Sequence, residues 1–415
     1  MLITNARLKG RDGTWDLRVR DGVFAEIVPS APGAQLDGAY DAGGRLLSPP
    51  YVEGHIHLDF ANTAGKPRAN TSGTLFEAIE IWAERKRAGL NNPDEIRHNA
   101  LAAVRSAVSH GTGFIRSHVD VTDPELIALK TMLKVRDEVK DWCTVQIVAF
   151  PQNGIFAFPG GRELMDTAMQ LGADVVGGIP HLEHTREEGA ASVSYVFDLA
   201  EKYGALVDIH CDEIDDDQSR FLEVMAAETL KRKMQGRVTA SHAVAMAYYN
   251  PGYMAKLLSK LRAAELGFAI CPNENLQLQG RGFSAPVPRG VAPVRILSEW
   301  GLSVGFGQDS IEDPWYPIGD GNPLRNLDTG LHVAHMLSEE YLDRCLDFVT
   351  TNPARNLGVE YGIEVGKPAS FIVLDASTDR QVLQLHAPVL LSVHRGQTVL
   401  ERQPAVTRWV AELPK

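Results

Sequence analysis

Between residues 48 and 309 one pattern recurs eight times: a short apolar run, then an amphipathic stretch with helical spacing. The runs are SPPYVEGHIHL, GFIRSHVDV, TVQIVAF, DVVGGIP, ALVDIH, RVTASH, LGFAICP and LSVGFGQD. Between them lie helical patterns such as TLFEAIEIWAERKRA, PELIALKTMLKVRDEV, SVSYVFDLAEKYG and RFLEVMAAETLKRKMQG. Strands that alternate with helices form a parallel sheet, and eight of them close into a barrel. An open doubly wound sheet is the competing architecture. It would bring a glycine-rich phosphate turn after an early strand, and none is present. Both chain ends differ from this middle. LITNARL, WDLRVRDG and VFAEIVPS at the start, and SFIVLDAS, APVLLSVHRG and GQTVLERQ at the end, read as short strands broken by turns. The expected fold class is therefore α/β. It is a (β/α)8 TIM-type barrel over 51–360, with a small β-sandwich domain formed by the N-terminal segment 1–50 and the C-terminal segment 361–415.

Composition narrows the partners. The chain has 415 residues and is 44% hydrophobic and 23% charged, enough apolar material for a large core. Its formal net charge is −12, with 41 basic and 53 acidic residues. No dense Lys/Arg block offsets this, so neither nucleic acid nor an anionic membrane is an expected partner. No apolar run reaches the roughly 18–20 residues of a spanning helix. Cys143, Cys211, Cys271 and Cys345 are scattered without a CxxC pair, which fits a reducing compartment. The N-terminus lacks the apolar core of a signal peptide. The expected location is the cytoplasm.

Catalytic residues of such barrels sit at the C-terminal ends of the strands. The first run ends in His55-Ile56-His57, and alternation puts both imidazoles on one side of the strand. The fifth run ends in His210, the sixth in His242 and the eighth in Asp309. Taken singly, each has an ordinary explanation. An HxH pair arises by chance, a strand-end His is often a hydrogen-bonded core residue, and a lone Asp often caps a helix. Together they form a nitrogen and oxygen donor set suited to Zn2+ or Fe2+, with room for a bound water. Glu213, three residues beyond His210, is placed to take a proton from that water and pass it on. The nearby Asp212, Asp215, Asp216 and Asp217 compete for that role, and an acidic run also suits a helix start. His118 and His181 end strands without completing a ligand set and read as pocket-wall or supporting groups. Cys211 and Cys271 read as small wall residues rather than nucleophiles.

The stretches VEGHIHLD, VAFPQNGI, VDIHCDEIDDDQSRF, VTASHA and FGQDSIEDPWYP resemble the bacterial cytosine deaminases of the amidohydrolase superfamily. The resemblance runs over nearly the whole chain, including GTLFEAIEIWAERK and the β-rich ends. It implies one divalent metal ion per subunit, Fe2+ or Zn2+, bound by His55, His57, His210 and Asp309. It implies that Glu213 shuttles a proton to the pyrimidine N3, and that His242 holds or helps deprotonate the attacking water. Gln152 would bond the ring carbonyl and its adjacent nitrogen, and Trp315 would lie at the pocket wall. The partner would be a small-molecule nucleobase and the assembly a homo-oligomer. The H-x-E and P-C-x-x-C ligands of the unrelated zinc cytidine deaminases are absent.

One position departs from that family. Its usual His-Asp-Asp after the eighth strand is here Gln308-Asp309-Ser310. In the family the second Asp faces the substrate near its amine and its 5-edge. Serine removes a carboxylate and opens space there, so 5-methylcytosine is the expected substrate, with cytosine as the competing one. Isoguanine, an aminotriazine or creatinine would suit the same chemistry. A non-catalytic metal-binding protein is the remaining alternative, and the full donor set with Glu213 argues against it.

Overall fold

The computed structural model describes residues 1–31 and 38–411; residues 32–37 and 412–415, in the expected N- and C-terminal segments, lie outside the described residues. The chain forms two compact units, Met1–Pro49 with Gly362–Lys415, and Pro50–Tyr361. The strands in chain order are β1 (Leu2–Leu8), β2 (Trp15–Arg20), β3 (Val23–Pro29), β4 (Tyr40–Asp41) and β5 (Leu46–Ser48). Eight more follow: β6 (Tyr51–Ile56), β7 (Thr112–Asp120), β8 (Thr144–Phe150), β9 (Val175–Gly178), β10 (Leu206–Cys211), β11 (Val238–His242), β12 (Gly267–Ile270) and β13 (Ser303–Phe306). The last three are β14 (Phe371–Leu374), β15 (Val389–His394) and β16 (Gln397–Glu401).

In the first unit both chain ends share one sheet, ordered β16-β15-β14-β5-β1-β2-β3. Strands β3 and β14 are far apart along that order, yet the Phe24 and Phe371 rings lie 5.9 Å apart. Phe24 also accepts and donates backbone hydrogen bonds with Gly366 and Lys367. The sheet therefore folds over on itself. Leu17, Val19 and Phe24 from one half meet Phe371, Val373 and Leu391 from the other in one dry core, as in a sandwich.

In the second unit β6 to β13 pair in sequence order, every pair parallel. Strands β6, β7, β9, β11 and β12 are buried along their whole length. Helices cover a parallel sheet on one face and the barrel interior buries the other, so the runs are apolar throughout rather than alternating. The ring closes between β6 and the end of β13. His57 N–H donates to the Asp309 carbonyl and Asp309 N–H to the His55 carbonyl, both at 2.8 Å. Gly307 makes this approach possible, since a Cβ there would lie 2.9 Å from His55 Cβ and its carbonyl oxygen. Glu53 clamps the same seam, its Oε1 accepting from the His55 and Gln308 N–H groups, each at 3.0 Å. Arg116 of β7 and Asp208 of β10 form a fully buried ion pair at 2.9 Å. Those strands are not neighbours, so the pair spans the interior and ties the barrel wall beneath its mouth. No helix among the described residues is long and apolar enough to cross a membrane.

Candidate active site

The polar strand ends converge at the C-terminal mouth. His55 Nε2 lies 3.3 Å and His57 Nε2 3.4 Å from Asp309 Oδ1. His57 Nε2 lies 3.1 Å from His210 Nε2. Potential ligand atoms of His55, His210, His242 and Asp309 lie within 4.8 Å of one another, and all four residues are buried. Five groups thus meet where the sequence placed them. His242 and Asp309 take left-handed backbone conformations, with φ of 67° and 66°. Such conformations cost energy for residues with a Cβ and are typical of functional sites.

The imidazoles suit a cation. Burial holds His55 and His57 neutral, their pKa values lowered to about 3, and pushes His210 and His242 well down as well. Neutral rings keep a lone pair for coordination. His55 Nδ1 contacts Ser241 Oγ at 2.8 Å, and Ser241 donates to Asp208 Oδ1 at 2.7 Å. This chain assigns the His55 proton to Nδ1 and leaves Nε2, which has no hydrogen-bond partner, as a free donor atom beside Asp309. Neutral imidazoles, one carboxylate and an orphaned inward nitrogen fit a divalent metal ion.

Glu213 Oε1 lies 3.6 Å from His242 Nδ1, and His242 Nδ1 lies 3.7 Å from Asp309 Oδ2. Burial, then the nearby Asp309 charge, push the Glu213 carboxyl well above its ordinary range, so it is disposed to carry a proton. The competing Asp212 is occupied elsewhere. It accepts from Ser219 Oγ and from the Phe221 and Leu222 N–H groups at the next helix start.

A pocket of about 370 Å³ opens over these groups. Its polar lining includes His57, His210, Glu213, His242, Asp309, Gln152 and Ser310, and Trp315 forms part of its wall. Trp315 is one layer of a stack: its ring lies 5.0 Å from Phe60, and Phe60 lies 4.8 Å from His57, each pair close to parallel. Asp313 fixes this loop by accepting from the Trp315 and Tyr316 N–H groups. Phe150 stacks on His210 at 4.0 Å. His118 and His181 take different places. His181 lines the pocket, whereas His118 packs behind His55, ring centres 4.0 Å apart, with Nε2 3.7 Å from Asp208.

Sequence reading missed one carboxyl of the lining and one that supports a loop beside it. Glu274, on the short helix Pro272–Leu278, is buried in the pocket. A carboxyl just past the seventh run was the available signal, the same signal that singled out Glu213 after the fifth. Glu183 was also missed. It accepts the Ile155, Phe156 and Ala157 N–H groups at 2.7, 3.1 and 2.8 Å and so holds the loop that follows Gln152.

A parallel barrel with a buried His and Asp donor set at its mouth and an acid–base carboxyl beside it defines a metal-dependent hydrolase. The chain belongs to the amidohydrolase family, whose model matches residues 38–400. It is similar to 5-methylcytosine deaminase from Klebsiella pneumoniae, solved with 5-fluorocytosine, at 49% identity and a TM-score of 0.96, covering 99% of each chain. It is also 28% identical to N-isopropylammelide isopropyl amidohydrolase of Pseudomonas sp. (strain ADP), over 98% of each chain. Pterin deaminase of Rhizobium rhizogenes is 27% identical over 87% of this chain and 82% of its own. This chain is an enzyme that hydrolyses C–N bonds.

Proposed function

We propose that this enzyme deaminates 5-methylcytosine at C4, giving thymine and ammonia, and accepts cytosine more weakly. The carrying observation is Ser310, a small uncharged residue lining the pocket directly beside Asp309. Serine is shorter than a carboxylate side chain at this position and would leave more room for a methyl group at ring position 5. The similarity to the Klebsiella enzyme supports the same substrate.

His55, His57, His210 and Asp309 would hold one divalent cation. When bound, such an ion lowers the pKa of a water to about 7 and supplies hydroxide at neutral pH. Fe2+ and Zn2+ both suit this donor set, and elemental analysis of protein as purified distinguishes them. Gln152 holds the ring carbonyl and adjacent nitrogen. Glu213 takes the proton of the attacking water and delivers it to N3, which draws electron density from C4. His242 steadies the oxygen added at C4. Glu213 then takes the proton of the new C4 hydroxyl and delivers it to the amine; the C4–N bond breaks, the C4 carbonyl forms, and ammonia leaves. Trp315 and Phe60 shield one side of the site. The enzyme would act in the cytoplasm as a homo-oligomer, a state that light scattering on the purified protein measures.

Comparison of kcat/KM for the two bases tests the reading. The expected result is a higher value for 5-methylcytosine. A preference for cytosine of about tenfold, worth about 1.4 kcal/mol, would overturn it.

A further inference from the structure

We propose that Glu274 is a specificity-determining residue that accepts a hydrogen bond from the exocyclic amine of the substrate. The inference rests on the deaminase reading above. Glu274 is 1% exposed, and its Oε2 has no hydrogen-bond partner. Among the described residues with a buried, unpartnered carboxyl oxygen, Glu274 is the one that lines this pocket. Buried polar atoms in folded proteins are almost always satisfied, so an orphan at a pocket wall marks a place where a ligand supplies the missing donor.

Its position selects which donor. Glu274 follows β12, and Gln152 follows β8, four strands away in either direction around the closed eight-stranded barrel. The two side chains therefore address opposite edges of a flat ring lying in the mouth. If Gln152 takes the carbonyl edge, the amine and the 5-edge fall to Glu274 and Ser310. Ser310 lines the same pocket as Glu274, and a serine there takes less room beside the acceptor than a carboxylate would. A carboxyl oxygen at this place matches an amine N–H. In its carboxylate form it offers the C4 carbonyl of the product no donor, and so favours release once the amine has gone.

The test uses the metal-loaded enzyme and its Glu274→Val and Glu274→Gln variants, with metal content and melting temperature measured on each. Substrate KM and kcat are read alongside product inhibition by thymine and uracil. Valine, which has no acceptor, is expected to raise KM for the amine-bearing base about tenfold, the loss expected when a hydrogen-bonding group is removed from a site. Glutamine keeps a carbonyl acceptor and adds an N–H donor. It should therefore restore much of the substrate KM and bind product several-fold more tightly than wild type. Parallel weakening of substrate and product in both variants, or a KM unchanged by valine, would overturn the proposal. So would a Glu274→Val protein that has lost its metal or its fold while Glu274→Gln behaves as wild type towards product. A wild-type enzyme inactive on both bases would overturn the deaminase reading and this inference with it. An active wild type indifferent to residue 274 would overturn this inference alone.

Discussion

The Asp309 N–H donates to the His55 carbonyl at 2.8 Å, and the Asp309 carboxylate lies 3.3 Å from His55 Nε2. One residue pair thus closes the barrel through its backbones and builds the metal-ligand cluster through its side chains. The donor atoms are therefore held at the hydrogen-bonded seam that closes the barrel. This is the arrangement expected to keep catalytic geometry within a fraction of an ångström.

The Asp208–Ser241–His55 chain gives the first prediction. Ser241→Ala removes the acceptor that keeps the His55 proton on Nδ1. Metal affinity should fall about 10–100-fold with the barrel intact. Competition against a chelator of known affinity measures this, and an unchanged affinity would show that Ser241 does not set the tautomer.

Glu213→Gln keeps the size of the side chain and removes its proton-carrying function. A loss of about 10²–10⁴-fold in kcat is expected with metal content unchanged. Stripping the metal should abolish activity in wild type, and adding it back should restore activity. Turnover that ignores both metal removal and Glu213→Gln would overturn these roles.

Ser310→Asp adds a carboxyl to a pocket that already holds Glu274 and lies next to Asp313; burial raises the Asp313 pKa to about 7 and that of Glu274 well above its ordinary range. The variant also fills the space assigned to the methyl group. Activity on 5-methylcytosine should fall relative to cytosine by about fourfold or more, the equivalent of one buried CH2 at roughly 0.8 kcal/mol. The ratio of the two kcat/KM values reports this directly, and equal losses on both bases would remove Ser310 as the selector.

Glu183→Ala leaves the N–H groups of Ile155, Phe156 and Ala157 without their shared acceptor. The loop after Gln152 should loosen and kcat/KM drop about tenfold or more, since small misplacements of a positioning group are costly. Faster amide exchange confined to 153–158 would accompany the loss; an unaltered exchange pattern would count against this account.

All four cysteines are buried thiols outside any disulfide. Burial pushes the Cys143 thiol up to about 12 and raises Cys211 and Cys271 well above the ordinary value. A raised thiol pKa means the reactive thiolate is scarce at pH 7–8. An aromatic disulfide reagent should titrate these thiols slowly in the native enzyme and fully after denaturation. Cys211 and Cys271, expected as wall residues, are fully buried and do not line the pocket, so rapid native labelling with loss of activity would overturn this account.

Much of the fold was legible in the sequence. The apolar runs coincide with β6 to β13 because a parallel barrel strand is buried on both sides, and local composition records that burial. His55, His57, His210, His242 and Asp309 stood out for a related reason: a polar residue that ends an apolar run is expensive unless it has a function. The terminal runs also showed as strands, yet only the Phe24–Phe371 contact shows their sheet folding over. Glu274 was passed over because nothing in CPNENL separates a pocket carboxyl from a helix-start one.

The sequence by itself determined the eight-strand barrel, the polar residues at its mouth and the absence of a carboxylate at position 310. Tertiary structure alone decided that Glu274 and Ser310 line one pocket, that Glu183 holds the loop beyond Gln152, and that Asp208 reaches His55 through Ser241. The division has a physical cause. Periodicity and strand-end polarity arise between neighbours along the chain, whereas these pairings arise between different strands and loops and exist only once the barrel has closed.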